Sequence, residues 1–152
     1  MIYSHTDLAA LQMALRSGFF SVVPDDNVGL AIPALATAVD MDVNRTRSVL
    51  KMLATHRIFE EHKGELRHTS TSALLRCPDF AALTEASLGE FAKASLEMPE
   101  WNQRSPHTQG LTDNAFSQRF GNTFYGHCAR FPKDAHRFSQ AMRAWGTSPS
   151  RQ

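Results

Sequence analysis

The chain has 152 residues, of which 42% are apolar and 20% charged, a composition that favours one globular domain with its own core and excludes a disordered or low-complexity chain. Its 16 basic and 15 acidic residues nearly cancel, and residues 1–76 hold eight of each, so the charge leaves no footprint for nucleic acid. Cys77 and Cys128 lack CxxC or Cys/His ligand spacing and no apolar run approaches the ~20 residues of a membrane span, which predicts a soluble, cytoplasmic protein with no disulfide, metal site or membrane partner.

The first element is an amphipathic helix from Asp7 to Gly18, with Leu8, Leu11, Leu15 and Phe19 at helical spacing and Thr6 as its N-cap. A turn at Pro24-Asp25-Asp26-Asn27 precedes a short strand at Val28 to Leu30, and Pro33 suits the first turn of a helix running to about Val39. The turn Asp40-Met41-Asp42 leads into a helix from Val43 to Thr55, whose buried face is Val43, Thr46, Val49, Leu50 and Leu53. These two helices and their tight turn read as a helix-turn-helix. Strands at Ile58–Glu61 and Glu65–His68 flank the turn His62-Lys63-Gly64 and form a two-stranded wing. The order predicts a winged helix over residues 6–76.

A helix from Ser70 to Leu75 ends before Pro78, and a longer one from Phe80 to Leu96 carries Phe80, Leu83, Ala86 and Leu88 or Phe91 along one face. Met98 to Gly110, rich in Pro, Asn, Ser and His, reads as an ordered loop around Trp101. Asn114 to Arg130 alternates aromatic and polar residues, Pro132 to Trp145 is a helix with proline at its start, and Gly146 to Gln152 is a frayed tail. The fold class is therefore mainly α with a small β-wing: one domain over 1–152, a winged helix with a helical extension over 79–145. Its amphipathic first helix and aromatic C-terminal segments carry more apolar surface than a monomer of this size leaves uncovered, which predicts a homodimer.

In a DNA-binding winged helix, basic residues on the helix after the turn and in the wing neutralise phosphates. Arg45, Arg47 and Lys51 lie on that helix, but Asp40 and Asp42 stand at its entrance and Glu60, Glu61 and Glu65 load the wing with negative charge. A solvated helix face accounts for the three basic residues better than DNA does.

The run from Val39 to Leu75 resembles the N-terminal dimerisation domain of fungal class I O-methyltransferases, through Arg45 with Val49 to Leu53, Ile58-Phe59-Glu60, and the HTxxS step of His68, Thr69 and Ser72. The likeness continues through Pro99-Glu100-Trp101, Thr112 to Phe120, and Phe131-Pro132 to Phe138 and Met142. It implies an intertwined homodimer whose aromatic residues help wall a substrate pocket. In the family, the segment like Phe138 to Met142 is followed by a Rossmann-type domain that binds S-adenosylmethionine. The resemblance thus implies a free-standing domain that takes no cofactor and does not transfer methyl groups by itself. The glycines of Gly121 to Gly126 lack GxGxxG spacing and a preceding buried strand.

Chemically capable residues are densest at Asp113, Arg119, Tyr125, His127 and Cys128, among Phe116, Phe120, Phe124 and Phe131. Aromatic walls with a few polar groups suit a flat, conjugated polyketide, with Trp101 as a further wall. The expectation is a cofactor-independent polyketide cyclase of secondary metabolism. His127 is its base, Tyr125 or Arg119 steadies an enolate, Asp113 completes the polar set, and the product is a ring such as a pyrone. A polyketide synthase would be a second partner. The competing readings make the phenylalanines core or dimer interface, His127 structural, and the protein a non-catalytic accessory of a pathway enzyme or a DNA-binding regulator. His68 and Ser72 read as caps of the helix after the wing, Cys128 as a small buried hydrophobe, and His56, His62, His107 and His136 as surface residues. No GxSxG elbow is present.

Overall fold

The computed structural model describes residues 4–24, 28–108 and 110–147. It is mainly helical, with one three-stranded antiparallel sheet, and divides into two compact units, Met1–Ala81 and Ala82–Gln152.

The first unit opens with α1 (Ser4–Arg16) and the single turn α2 (Phe19–Val22). Helix α1 begins before Thr6, so Thr6 lies within the helix and is not its cap. Its innermost residues are Ala10 and Ala14, while Leu11 and Leu15 are partly buried and Leu8 is exposed. The sequence pattern put the leucines inside; the structure puts methyl groups there, and α1 lies against α4 (Val43–Thr55). Phe19, Phe20 and Val23, immediately after α1, supply the bulk that the alanines lack.

The helix-turn-helix forms as the sequence predicts. Helix α3 (Ile32–Ala38) has proline in its first turn, and Asp40 takes φ 51° in the turn before α4. The Asp42 carboxylate caps α4, accepting from the amides of Asn44 at 3.0 Å and Arg45 at 2.9 Å. Thr46, Val49, Leu50 and Leu53 form its buried face, and the Thr46 hydroxyl donates to the Asp42 carbonyl, so this polar residue enters the core satisfied.

Strands β2 (Phe59–His62) and β3 (Glu65–His68) pair in the register Phe59 to His68 and His62 to Glu65. Lys63 at φ 53° and Gly64 at φ 84° make a two-residue turn of the mirror-image type, which is why β2 runs one residue beyond the predicted end. The predicted strand at 28–30 is displaced to β1 (Leu30–Ala31), which pairs with β3 and makes the order β1-β3-β2. A Cβ at Gly29 would overlap the Glu65 side chain, so glycine admits the chain to the sheet edge. The predicted turn at residues 25–27 and the tail beyond Thr147 lie outside the described residues.

The step into α5 (Ser70–Leu74) corrects one role. Thr69, not His68, is the N-cap, and Ser72 completes a reciprocal box with it. The Thr69 hydroxyl reaches the carbonyls of Ile58 and Arg57, tying the cap to the segment that leads into β2. His68 joins the Ser72 hydroxyl at 2.9 Å and the Val23 carbonyl at 3.0 Å. A carbonyl only accepts, so the proton sits on Nε2 and the ring clamps the segment after α2 to the sheet.

The second unit is all helical among its described residues. The boundary falls inside α6 (Pro78–Ala86), which runs through a π-helical turn, Ser87–Phe91, into α7 (Ala92–Ser95). The predicted loop after it is instead α8 (Met98–Arg104), with proline in the first turn, Glu100 near the start and Arg104 in the last turn, each placed favourably for the helix dipole. The aromatic stretch resolves into α9 (Ala115–Phe120) and α10 (Phe124–Arg130), capped by Asn114 and Thr123 and separated at Gly121, φ 69°. Helix α11 (Pro132–Thr147) runs past Trp145, so Gly146 is helical and not frayed.

The Asp42 cap gives a direct test. Asp42→Ala should lower unfolding stability by about 1 kcal/mol, and Asp42→Asn should recover most of it, because either oxygen accepts from the exposed amides of α4. Urea denaturation with an unchanged m value measures both; no loss in the alanine variant would remove the cap from the account.

Candidate functional site

The candidate site lies within the second unit and is built from short segments that each contribute one wall. Phe91 ends the π turn, Met98 and Trp101 come from α8, Phe116 from α9 and Phe124 from α10. Ala94 and Ala115 form the floor, small enough for the rings to converge. The result is an open groove of about 440 Å³. Phe91 stacks on Phe124 at 5.3 Å, Phe116 meets Phe124 edge-on at 5.4 Å, and Phe124 meets Phe138 of α11 at 4.6 Å. Such pairs hold ring orientation as well as burying area.

Polar groups at the groove are already engaged. The Trp101 indole donates to Asp113 at 3.3 Å, and Arg104 pairs with the same oxygen at 3.0 Å. The Asn114 side chain accepts from the Ser117 amide and donates to the Leu111 carbonyl, and Ser95 donates to Ala92. A ligand here meets ring faces and methyl groups, with no unpaired ionic anchor among the lining side chains.

Of the residues singled out from sequence, Trp101, Phe116 and Phe124 line this groove, joined by Phe91 and Met98, which the sequence did not mark as site residues. Phe120 packs on Phe116 at 4.5 Å, and Phe131 lies 4.6 Å from the His127 ring. The polar set has separate partners: Asp113 holds Trp101 and Arg104, Arg119 pairs with Glu97 at 3.0 Å, and Tyr125 is 78% exposed.

His127 is 7% exposed and sits behind Phe116, which meets its ring edge-on at 5.6 Å. Its Nε2 faces the Asp134 carboxylate at 3.0 Å. Asp134 escaped the sequence reading, although it lies on the first turn of α11, within reach across the Phe131-Pro132 junction. From Asp134 the contacts run on: Arg137 meets Asp134 at 2.8 Å, Glu90 at 2.8 Å and Glu85 at 3.4 Å. Next to His127, burial pushes the Cys128 thiol above its ordinary range, and the carboxylates of Asp134 and Glu90 push it further. That opposes thiolate formation, although Cys128 is half-buried and not the buried hydrophobe that the sequence reading expected.

No group of three or more His, Cys, Asp or Glu among the described residues is arranged to hold a metal ion. Gly121 to Gly126 links α9 to α10, with Gly121 as the C-cap of one helix and the Thr123 hydroxyl capping the next. It does not follow a strand and does not fit a nucleoside-binding turn of the kind S-adenosylmethionine would need. No described helix is long and apolar enough to cross a membrane. On the first unit, Arg47 and Lys51 share a depression with Glu61, which sets a carboxylate where a phosphate would have to approach.

No family model matches the chain. The O-methyltransferase sol2 of Alternaria solani is 37% identical over 143 residues, which are 90% of this chain and 32% of that protein. Among solved structures, a pericyclic reaction enzyme superposes with a TM-score of 0.84 at 14% identity, over 92% of this chain and 37% of its own. The pyocyanin biosynthetic protein PhzM gives 0.78 at 24% identity, over 95% and 42%. OxaC in complex with sinefungin and meleagrin gives 0.79 at 17% identity, over 91% and 36%. The chain thus spans roughly a third to two-fifths of the length of these proteins.

The two thiols offer a check on the site's electrostatics. Exposed Cys77 should alkylate with iodoacetamide at pH 8 well before Cys128. The Cys128 rate should climb only as pH rises beyond the ordinary thiol range, since its raised pKa withholds the thiolate. Peptide mass spectrometry of a time course reads both rates; faster labelling at Cys128 contradicts the described environment.

Proposed function

Because the chain carries the N-terminal domain of the O-methyltransferase family, we propose that it serves secondary metabolism as a homodimerising module that walls a binding site for a flat, conjugated, polyketide-type molecule. The observation that carries this reading is the aromatic groove. Its volume of about 440 Å³ falls within the ~300–1,000 Å³ of small-molecule sites. Its walls offer ring faces at Phe91, Phe116, Phe124 and Trp101, and its polar groups are engaged by Asp113 and by backbone groups. A planar ligand loses little by having no hydrogen-bond partners there and gains dispersion and stacking. That a structure of like fold is described as a pericyclic reaction enzyme, and another holds meleagrin, supports a small-molecule role.

A second reading has a specific observation in its favour. The His127–Asp134 bond fixes the orientation of the imidazole, as a general base requires. In cofactor-independent ring closure, His127 would remove a proton from the acidic carbon between two carbonyls of a polyketide. Arg119 or Tyr125 would steady the enolate, and Asp113 would hold the Trp101 wall. A polyketide synthase is the class of enzyme that would supply such a substrate. The groove favours binding; the dyad favours chemistry added to binding.

Trp101 reports on the groove. In a Trp145→Phe background, 2-naphthol should quench its emission saturably, and Phe116→Ala should weaken binding by about tenfold, the loss of roughly one aromatic pair. Quenching that rises linearly without saturation would overturn the binding reading. For the chemistry, His127→Ala should abolish ring closure of a poly-β-keto substrate while sedimentation still shows the dimer. Undiminished closure by that variant removes His127 from the reaction.

A further inference from the structure

Glu90 and Phe91 are neighbours in the π turn but serve different places. Phe91 forms the groove wall against Phe124 and stands 6.4 Å from Phe116. Glu90 binds Arg137 of α11 at 2.8 Å. On a regular α-helix, Glu85 and Glu90 would point about 140° apart, at 100° per residue. The wider π turn closes that angle, and both carboxylates reach the one guanidinium, at 3.4 and 2.8 Å.

The same guanidinium nitrogen that holds Glu90 also holds Asp134 at 2.8 Å, and Asp134 holds His127 at 3.0 Å. His127 then supports Phe116 edge-on at 5.6 Å. A closed circuit follows: Phe116, His127, Asp134, Arg137, Glu90, Phe91 and back to Phe116. We infer that Arg137 is a positioning residue for the groove, fixing Phe91 through Glu90 on one side and Phe116 through Asp134 and His127 on the other. Arg137 suits this task because a planar, permanently charged fork fixes direction as well as distance. Its side chain is mostly withdrawn from solvent, so its pairs are screened less than surface pairs. The inference rests on the groove being a ligand site for its functional meaning, but the circuit is testable without a ligand.

The experiment uses the full chain in the Trp145→Phe background, with Arg137→Gln, Arg137→Lys, Glu90→Gln and Glu85→Gln. Glu85 touches Arg137 but lies outside the circuit, so Glu85→Gln serves as the control for a merely structural role. Ring-to-ring NMR cross-peaks between Phe91 and Phe124 should be lost in Arg137→Gln and Glu90→Gln and kept in Glu85→Gln. Affinity for 2-naphthol should fall about tenfold in the first two, equally in their double variant, and by less than twofold in Glu85→Gln, whatever the melting temperatures. Arg137→Lys should recover part of the loss. If affinity and cross-peaks follow melting temperature across all variants, Arg137 is only structural and the inference is overturned. If the parent fails to bind 2-naphthol while the cross-peaks behave as described, the ligand reading fails and the positioning role stands.

Discussion

Three carboxylates from α6, the π turn and α11 converge on the guanidinium of Arg137, and the arrangement of the second unit depends on that convergence. Partly buried charges are costly unless they are paired, and removing one partner of such a pair costs more than the pair itself contributes. Here a single cation answers three anions, with His127 taking a share of Asp134. Asp134 shares α11 with Arg137, so it is Glu85 and Glu90 that tie α11 to α6 and the π turn, and the arrangement contributes more through the specificity of that seating than through net stability. The Arg137 Nε is buried without a partner among the described residues, so the planar fork is committed through its two terminal nitrogens.

The first unit reaches uniqueness by a different route. Its core is apolar and continuous, and the stacked pair of Phe20 and Phe59 at 5.0 Å joins the segment after α1 to the sheet. The fully buried polar side chains Thr46 and Ser72 are hydrogen-bonded, Thr46 to the Asp42 carbonyl and Ser72 between Thr69 and His68. His68 and Ser72, read from the sequence as helix caps, also join two backbone segments through the Val23 carbonyl and the Thr69 amide. In the second unit the aromatic rings do the packing instead, with Phe124 in contact with four others.

Much of the first unit was legible because its signals are local. Helix α4 and strand β3 fall on their predicted bounds, since an aspartate cap and a Lys-Gly turn act within a few residues. Helix α8 was hidden by composition: Pro99, Asn102 and Ser105 look like loop residues, yet proline in a first turn is favourable. The π turn was hidden for a geometric reason. The buried positions Ala82, Ala86, Gly89 and Ala94 step by four, three and five, and the last step breaks the α period. In the candidate site, Trp101, Phe116 and Phe124 were legible as an aromatic cluster, and they line one groove. The polar partners were illegible because Asp134 lies across a proline from His127, and Glu97 is 22 residues from Arg119.

The alanines of α1 bear on how this sequence can drift. Ala10 and Ala14 set the approach of α1 to the rest of its unit, so a larger side chain there must push the helix away from a closely packed core. Leu8 and Met13 face outward and are not bound by that limit within the unit. Along this helix the exposed large residues, Leu8 and Met13, are the replaceable ones, and the smallest side chains are those the fold cannot enlarge.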